Sequence, residues 1–348
     1  MSLDARLQSV WYERKPLWLF ALLTPLSLLF GLSVRLRRFA FGKGWRTAVR
    51  LPQPVIVIGN ITVGGTGKTP FTIWLAQHLQ AQGWRVGIVL RGYGGRSTTW
   101  PRDVAADTPY AEVGDEAVLL AARTGAIVVA GPDRVAAARR AIELGAEFVL
   151  ADDGLQHYRL ARYMEIAVVD EQRELGNGWL LPAGPLREPK SRLKSVDVIV
   201  RTRRSATPVA QRGAEFQSGP PQITAIAGIT DAVSLLDGST RPVASFQSAP
   251  VHAVAGIGNP EAFFSALRAA GLTVDARALP DHAALSSADI GFDDGAPVLM
   301  TEKDAVKCRG SAAARHWAVV LDVALAEADL AVIDRFVKHL LNPASMRR

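Results

Sequence analysis

The sequence predicts an α/β fold: a doubly wound, mostly parallel sheet, preceded by an apolar helix and followed by a second, smaller α/β domain. Three observations support this prediction. From residue 53 onward, short continuous apolar runs alternate with helical segments, as in parallel sheets covered by helices on both faces. A glycine-rich turn, Thr62-Val-Gly-Gly-Thr-Gly-Lys-Thr69, joins the first strand of this series to its first helix. An uncharged apolar run occupies residues 17–34.

Composition limits the class of protein before any motif is considered. The 348 residues suit two domains, and one cysteine, Cys308, allows no intrachain disulfide and favours a reducing compartment. The net charge of +7 favours anionic partners. No common nucleic-acid signature is present, so we expect acidic membrane lipids and no nucleic acid. The basic residues flank the apolar run: Arg14, Lys15, Arg35, Arg37, Arg38, Lys43, Arg46 and Arg50.

The apolar run predicts a helix of about 27 Å, slightly shorter than the hydrocarbon core of a bilayer. A signal peptide is disfavoured, because no small-residue cleavage site precedes Arg35 and the following flank is strongly basic. Two interpretations stay open: a buried core helix, or an anchor that spans the membrane or lies in its interface. Basic residues on both sides favour an anchor lodged in the cytoplasmic leaflet.

The strands and helices of the first domain follow the apolar run in a regular alternation. The first strand is predicted over residues 54–58, and a helix over 70–82 follows the glycine-rich turn and ends at Gly83. Further strands are predicted over residues 85–90, 126–130, 147–151, 166–169 and 196–200, and further helices over 116–123 and 133–144.

A polar stretch containing Pro, Gly and Ser, residues 203–221, predicts a domain boundary. We therefore expect three parts: residues 1–50 as anchor helix and basic flank, 51–220 as a P-loop domain, and 221–348 as a second α/β domain that closes over the site. Within the second domain, strands are predicted over 251–255 and 298–301, and helices over 260–270 and 325–341.

The glycine-rich turn is a phosphate-binding loop. Its three glycines let backbone N–H groups point at phosphates, Lys68 reaches the outer phosphates, and the Thr69 hydroxyl binds Mg²⁺. The usual pattern has glycine at the position of Thr62. A tight turn without a ligand is the weaker interpretation, because Gly-Lys-Thr stands between a strand and a helix. The predicted ATP-binding residues are Thr62, Val63, Gly64, Gly65, Thr66, Gly67, Lys68 and Thr69.

Two acidic pairs stand where chemistry is expected. Asp152 and Asp153 end an apolar strand, where phosphate-loop proteins place the carboxylate of the metal site, although both could simply open a polar loop. Asp115 and Glu116 follow Gly114 at the start of a helix, so Asp115 could equally be a helix cap.

Three other patterns are weak on their own. A lone histidine such as His282 is usually structural, and Gly256-Ile-Gly258 lacks the third glycine of a dinucleotide turn. Thr301-Glu-Lys-Asp304 superficially resembles the guanine-binding motif of GTPases, but its lysine and aspartate are adjacent and cannot form the same clamp.

Together these motifs resemble those of the tetraacyldisaccharide 4'-kinases, the lipid A 4'-kinases of Gram-negative bacteria. They run in order along the chain, and Leu155 is one small departure, where phenylalanine is common. The motifs are Gly59-Asn-Ile-Thr-Val-Gly-Gly-Thr-Gly-Lys-Thr-Pro70, Arg91-Gly-Tyr-Gly94, Gly114-Asp-Glu116, Asp152-Asp-Gly-Leu-Gln-His157, Leu181-Pro-Ala-Gly-Pro-Leu-Arg-Glu-Pro189, Pro280-Asp-His282 and Thr301-Glu-Lys-Asp304.

The resemblance implies transfer of the ATP γ-phosphoryl group to the 4'-hydroxyl of a tetraacyldisaccharide 1-phosphate, which gives lipid IVA. It implies that Asp115 is the general base, assisted by His282, and that Lys68 acts on the phosphates. Because Asp115 and His282 lie in different domains, they would meet only if the second domain closes onto the first. The implied metal residues are Thr69, Glu116, Asp152 and Asp153, and the implied substrate or phosphate contacts are Arg91, Gln156, His157 and Arg187.

The resemblance also implies where the protein works. The acyl chains of a lipid A disaccharide 1-phosphate stay in the bilayer, so we expect a monomer anchored at the cytoplasmic face of the bacterial inner membrane. The alternative is a membrane-bound P-loop ATPase switch of the partitioning type. Those proteins have a second lysine at the position of Val63, and its absence here counts against them. A non-catalytic scaffold would leave the phosphate loop unexplained.

Overall fold

The computed structural model describes residues 3–13, 16–204, 219–280, 283 and 285–340. Its helices are α1 Leu3–Gln8, α2 Leu17–Gly42, α3 Lys68–Ala81, α4 Tyr110–Val113, α5 Asp115–Thr124, α6 Arg134–Glu143, α7 Pro260–Ala269, α8 Ser287–Ile290, α9 Glu302–Cys308 and α10 Glu327–Leu340. Its strands are β1 Val55–Gly59, β2 Val86–Leu90, β3 Arg102–Val104, β4 Ile127–Ala130, β5 Phe148–Asp152, β6 Met164–Asp170, β7 Val198–Arg204, β8 Gln222–Ser234, β9 Thr240–Pro242, β10 Val251–Ala255, β11 Val274–Ala278, β12 Val298–Thr301 and β13 His316–Leu325.

The first half is the doubly wound sheet that the sequence predicts. Its strand order is β3-β4-β2-β5-β1-β6-β7, and every neighbouring pair is parallel except β3 with β4. The central strand β1 is buried along its whole length, because helices or loops cover both faces of the sheet. This is why its sequence, Val-Ile-Val-Ile-Gly, is a continuous apolar run.

The second half extends the same sheet. Strand β8 pairs in parallel with β7 and antiparallel with β13, and β12, β10 and β11 continue beyond β13 in parallel pairs. The sheet of the described residues is thus continuous across position 221, where we predicted the second domain to begin. Most of the predicted boundary, residues 205–218, lies outside the described residues, and the domain division stays a prediction.

Five strands that we did not predict complete the sheet of the described residues: β3, β8, β9, β11 and β13. Strand β3 is a short, largely exposed edge strand, and β11, at the opposite edge, is only partly buried and carries Asp275 and Arg277. Strand β8 has long partly exposed stretches. These strands lack the continuous apolar run of a strand buried on both faces. Strand β13 does begin with such a run, so its sequence held a usable signal.

Helix α2 is longer than the predicted apolar run and continues through the basic residues to Gly42. Its 26 residues correspond to about 39 Å. One narrow stripe is buried: Ser27 Oγ donates to the carbonyl of Leu180 at 2.7 Å, and a Cβ at Gly31 would lie 2.8 Å from Leu180 Cδ1. A larger residue at position 31 would therefore require the end of the Leu180 side chain to shift.

Most of the apolar surface of α2 is exposed in the described part of the chain, although Phe20 contacts Trp179 and Phe41 contacts Tyr158, so the interpretation as a buried core helix is wrong. By length and composition alone α2 could cross a membrane, which makes it a candidate anchor. Eight large apolar residues of α2 are at least half exposed to solvent: Leu17, Trp18, Leu22, Leu26, Leu28, Leu29, Leu32 and Leu36.

Candidate functional site

The phosphate loop lies at the carboxyl end of β1, where the order of strands reverses. Strands β2 to β5 lie on one side of β1, and β6 and β7 lie on the other. Ligands of doubly wound sheets bind at such a switch point, outside the carboxyl ends of the strands. Asp152 and Asp153, at the end of the neighbouring strand β5, are therefore placed beside the loop.

The loop follows a path that requires glycine at two positions. Gly64 and Gly67 have φ of 99° and 80°, which is the left-handed region. A Cβ at Gly67 would also lie 2.9 Å from Thr202 Cγ2. The Thr202 hydroxyl donates to the carbonyl of Thr66 at 2.8 Å, so the end of β7 supports the loop from below.

The departure at Thr62 has a structural reason. Thr62 forms an antiparallel bridge with Leu186, and the N–H of Val63 donates to the carbonyl of Pro185 at 2.8 Å. Thr62 is almost fully buried. A residue in a bridge does not need the conformations that only glycine adopts, so threonine fits here.

Lys68 lies between an amide and a carboxylate. Its ammonium is 3.2 Å from Asn60 Oδ1 and 3.6 Å from Asp153 Oδ1. Arg187 Nη1 donates to both oxygens of Asp153, at 3.0 and 2.9 Å. Burial would raise the pKa of Asp153, but Lys68 and Arg187 outweigh it and hold this pKa below its usual range. Asp153 is thus ionised beside the loop.

Thr69, Glu116 and Asp152 place hydroxyl and carboxylate oxygens close together. The Thr69 hydroxyl donates to Glu116 Oε1, and the Thr72 hydroxyl donates to Asp152 Oδ1 at 3.0 Å. Burial and the charge of Glu116 raise the pKa of Asp152 to about 7. The two carboxylates repel each other electrostatically, and a cation bound between them would relieve this repulsion.

These oxygens fit Mg²⁺. Among the described residues, no three His, Cys, Asp or Glu side chains converge as a metal cluster on their own. Mg²⁺ bound to nucleotides usually takes one or two carboxylates and completes its shell with phosphate oxygens and water. The Thr69 hydroxyl and the carboxylates of Glu116 and Asp152 form a donor set of that kind.

Asp115 and Glu116 each meet a lysine from the second half of the chain. Asp115 Oδ2 lies 3.4 Å from Lys307 Nζ, and Glu116 Oε1 lies 2.9 Å from Lys303 Nζ. Burial would raise the pKa of Glu116, but Lys303 and Thr69 outweigh it and hold this pKa low. Gly114, not Asp115, is at the N-cap of α5, so the capping interpretation misplaces the helix start by one residue.

The segment after Asp153 supports the loop and lines a cleft. Gln156 Nε2 donates to the carbonyl of Asn60 at 3.0 Å and to Glu188 Oε1 at 2.9 Å. Burial and the nearby Arg134 lower the pKa of His157 to about 4, so this ring is neutral at physiological pH. Its buried Nε2 has no hydrogen-bond partner among the described residues.

The cleft has a volume of about 510 Å³ and lies between α2 and the segment 153–158, which follows β5. Phe30 and Arg37 of α2 form one wall, and Asp153 and His157 belong to the other. Burial lowers the pKa of Arg134 to about 10, which leaves its guanidinium protonated. The cleft is therefore rich in positive charge, and four arginines line it: Arg37, Arg91, Arg134 and Arg187.

His282 lies outside the described residues, so its pairing with Asp115 stays a prediction. The preceding described residue, Pro280, and Asp304 both lie beside Gly256. A Cβ at Gly256 would lie 3.3 Å from the Pro280 carbonyl oxygen and 3.1 Å from Asp304 Oδ1. Asp304 Oδ1 lies 3.2 Å from Lys307 Nζ.

Several residues of this site were not predicted. Asn60 and Thr72 were missed because an amide or hydroxyl beside a motif carries no chemical signal of its own. Lys303 and Lys307 had a usable signal, because their spacing of four puts both on one face of a helix. The missed residues are Asn60, Thr72, Arg134, Glu188, Lys303 and Lys307.

Known proteins resemble this chain over most of its length. The family model for tetraacyldisaccharide-1-P 4'-kinase matches residues 19–341. A tetraacyldisaccharide 4'-kinase of Alkalilimnicola ehrlichii is 50% identical over 90% of this chain and 91% of its own. One from Pseudomonas aeruginosa is 44% identical over 98% of this chain and 99% of its own. A crystal structure of LpxK from Aquifex aeolicus, in complex with ATP, is 29% identical, covers 92% of this chain and 99% of its own, and has a TM-score of 0.78.

Proposed function

The chain belongs to the tetraacyldisaccharide-1-phosphate 4'-kinase family, and from that premise we propose how its residues carry out the reaction. The protein is an ATP-dependent kinase of lipid A biosynthesis, which transfers the γ-phosphoryl group to the 4'-hydroxyl of a tetraacyldisaccharide 1-phosphate and forms lipid IVA. One observation supports the assignment of the site above all: Asp153, beside the phosphate loop, lines the same arginine-rich cleft as the apolar helix α2.

ATP binds with its phosphates in the loop Thr62–Thr69. The positive φ of Gly64 and Gly67 turns the backbone so that N–H groups face the phosphates, and the Thr69 end of the loop begins α3. Lys68 leaves Asp153 and Asn60 for the outer phosphates. Its ammonium then neutralises the charge that develops as the γ-phosphoryl group transfers.

Thr69 and Glu116 would hold Mg²⁺, with Asp152 and Asp153 on the acidic side of the site. A metal held there would supply charge neutralisation for the ATP phosphates. Asp152 is suited to this role because a nearby cation favours its ionised form, which burial alone disfavours. Asp153 is engaged by Lys68 and Arg187, so we assign it mainly to the orientation of these two cations.

Asp115 accepts the proton of the 4'-hydroxyl. Its Oδ1 accepts from the N–H of Glu116 at 2.8 Å and its Oδ2 faces Lys307, so its orientation is fixed from two sides. An ordinary carboxylate is a weak base at neutral pH, and we propose that His282 shares or accepts the proton. Lys307 already contacts Asp115 in this structure. We propose that closure of the second domain, residues 221–348, onto the first adds His282 to the site and excludes water.

The acceptor lies in the cleft beside α2, which Asp153 connects to the phosphate loop through Lys68. The arginines Arg37, Arg91, Arg134 and Arg187 suit an acceptor that carries a phosphate, and Gln156 and His157 line the same space. The exposed leucines of α2 contact the acyl chains of the acceptor and the hydrocarbon of the bilayer. We propose a monomer at the cytoplasmic face of the inner membrane, with the basic flank of α2 on acidic lipids.

The test is transfer of labelled phosphate from [γ-³²P]ATP to a purified tetraacyldisaccharide 1-phosphate in detergent micelles. We expect a labelled lipid with wild type, none with Lys68→Ala, and none when the acceptor lacks the 4'-hydroxyl. Label on an acceptor without that hydroxyl would contradict the 4' assignment. ATP hydrolysis that is unaffected by the acceptor, with no labelled lipid, would favour the ATPase switch.

A further inference from the structure

Helix α9 presents two lysines to the two acidic residues that begin α5. Lys303 and Lys307 are four positions apart and so lie on one helix face, and each meets a different carboxylate. Lys307 Nζ is 3.4 Å from Asp115 Oδ2, and Lys303 Nζ is 2.9 Å from Glu116 Oε1. Asp115 is the proposed general base, and Glu116 is a proposed metal residue. The two lysines therefore face different parts of the reaction.

Lys307 has the environment of a fixed structural cation. Its side chain is 2% exposed, and its ammonium lies 3.2 Å from Asp304 Oδ1 as well as facing Asp115. The other oxygen of Asp304 accepts from the N–H of Gly256 at 2.9 Å and from the Thr301 hydroxyl at 2.6 Å. Lys307 thus belongs to a closed network that holds Asp115 against the second half of the chain.

Lys303 has a different environment. Its side chain is 29% exposed, and the oxygen that it contacts, Glu116 Oε1, is the same oxygen that accepts from the Thr69 hydroxyl. One carboxylate oxygen therefore connects the Lys303 ammonium to Thr69, the last residue of the phosphate loop. Burial would lower the pKa of Lys303, but Glu116 and Asp115 outweigh it and raise this pKa, so the side chain stays charged.

This position conflicts with the role proposed for Glu116. If Glu116 and Thr69 hold Mg²⁺, the Lys303 ammonium and the metal are two cations directed at one carboxylate oxygen. Like charges that close repel each other strongly in a partly buried site. Lys303 then needs another anion, and the γ-phosphoryl group is the anion that nucleotide binding brings next to Thr69.

We propose that Lys303 is a catalytic residue that moves from Glu116 to the γ-phosphoryl oxygens when MgATP binds. This inference rests on the proposed function of the site. In the transfer, the bond from the γ-phosphorus to the β,γ-bridging oxygen breaks and the bond to the acceptor 4'-oxygen forms. The hydroxyl proton passes to Asp115. Lys303 keeps its proton throughout and neutralises charge on the transferring group together with Lys68.

The test compares nucleotides that differ in the γ-phosphate, without any acceptor. Affinities of the full-length wild type and Lys303→Met for Mg²⁺ with β,γ-imido-ATP, and for Mg²⁺ with ADP, are measured by isothermal titration calorimetry. We expect the variant to bind the imido-ATP about ten- to a hundredfold more weakly, because it loses a charged hydrogen bond. Its affinity for ADP should change by about twofold at most, and its kcat with lipid acceptor should fall.

Lys307→Met is the matched control, because Lys307 lies on the same helix face as Lys303 but contacts Asp115 and not Glu116. It should lower kcat while leaving the ratio of imido-ATP to ADP affinity as in wild type. Lys303→Arg should restore most of that ratio, and circular dichroism verifies the fold of each variant. If Lys303→Met does not fold, Lys303→Gln takes its place.

An equal loss of affinity for both nucleotides, or no loss for either, would overturn the proposal, because Lys303 would then act only on Glu116 or not at all. A failure of the proposed function looks different. Wild type would then leave the lipid unlabelled, whatever its preference for imido-ATP over ADP.

Discussion

The two sides of the active site are built in different ways. On the phosphate side, residues 60–72 form one continuous stretch of chain, and the backbone conformation of its glycines sets its shape. On the opposite side, the acidic pair of α5 meets Lys303 and Lys307 of α9, and Glu116 and Lys303 are 187 positions apart. Phosphate binding is therefore encoded locally, whereas the placement of the carboxylates depends on packing between the two halves of the chain.

Substitutions on the two sides should therefore affect the stability of the protein differently. The phosphate loop lies between β1 and α3, both buried in the core of the first half, so removing one of its side chains should leave the loop in place. The α5–α9 side contains buried charges that satisfy one another, and removal of one partner leaves the other unpaired. Substitutions there should affect stability as well as catalysis. Each prediction below tests this contrast.

The largest effect is expected from Asp115→Ala, which should lower kcat about 10³- to 10⁴-fold and change ATP affinity little, because a general base acts on the acceptor and not on the nucleotide. Steady-state kinetics with lipid acceptor, together with calorimetric titration of ATP, measures both quantities.

A double-mutant cycle tests whether Asp115 and His282 act as one unit. Adding His282→Ala to Asp115→Ala should cost little more, because residues that act together are not additive. Strictly additive losses would mean that the two residues act independently, and the dyad should then be abandoned.

The next effect concerns the local side. Lys68→Ala should lower kcat about 10²- to 10³-fold, and Thr69→Ala should lower it through weakened metal binding, with the melting temperature of both close to wild type. The comparison with Lys307→Met sharpens the contrast, because that variant should also lose thermal stability. If Lys68→Ala melts well below Lys307→Met, the loop is not the self-supporting element described here.

The same contrast explains how far the sequence could predict the site. Lys68, Thr69 and the Asp152–Asp153 pair were predicted because each belongs to a contiguous strand–loop pattern, and the structure places all four together. The doubly wound sheet was predicted for the same reason. Thr301-Glu-Lys-Asp304 was discounted only as a guanine-binding motif. The spacing of Lys303 and Lys307 predicts one shared helix face, but their carboxylate partners can be identified only from tertiary packing.

Other features were beyond sequence reasoning for related reasons. Arg134 is the first residue of α6 and is buried, yet an arginine in that position is usually exposed, so its sequence could not show that it lines the cleft. The length of α2 was underestimated because its last turns are basic, and helices do not end where hydrophobicity ends. Strands β3 and β11 lie at the edges of the sheet, where burial no longer imposes an apolar pattern.

A third prediction uses the raised pKa of Asp152. The pKa is about 7 in the folded protein and about 4 in an unfolded chain. The folded state therefore binds the proton more tightly, and its stability falls as pH rises from about 4 to about 7. Asp152→Asn removes this loss while still accepting from Thr72. Without nucleotide or metal, the variant should be more stable than wild type at pH 8, by up to about 4 kcal/mol, since each pKa unit corresponds to about 1.4 kcal/mol.

The measurement is urea denaturation of both proteins in EDTA at pH 8 and pH 4.5. The advantage of the variant should shrink at the lower pH, where wild-type Asp152 is protonated when folded. Adding Mg²⁺ and ATP at pH 8 should reverse the order, because the ionised carboxylate then has a cation. A variant that is less stable than wild type at pH 8 without ligands would contradict the raised pKa.

The smallest effect is expected for a substitution on the exposed face of α2, which belongs to neither the phosphate side nor the α5–α9 side of the site. Leu29 is 65% exposed, so Leu29→Gln should leave the fold intact. If this face enters the bilayer, the variant loses part of the 1.5–3 kcal/mol that burial of a leucine contributes, and vesicle binding should weaken about five- to tenfold. Flotation with vesicles containing acidic lipid measures the binding.

Leu19→Gln is the matched control: Leu19 packs against the protein and is 8% exposed, so this change should lower the melting temperature instead. Unchanged flotation of Leu29→Gln, with unchanged KM for the lipid acceptor, would show that the exposed leucines do not contact the membrane, and the anchoring role of α2 should then be rejected.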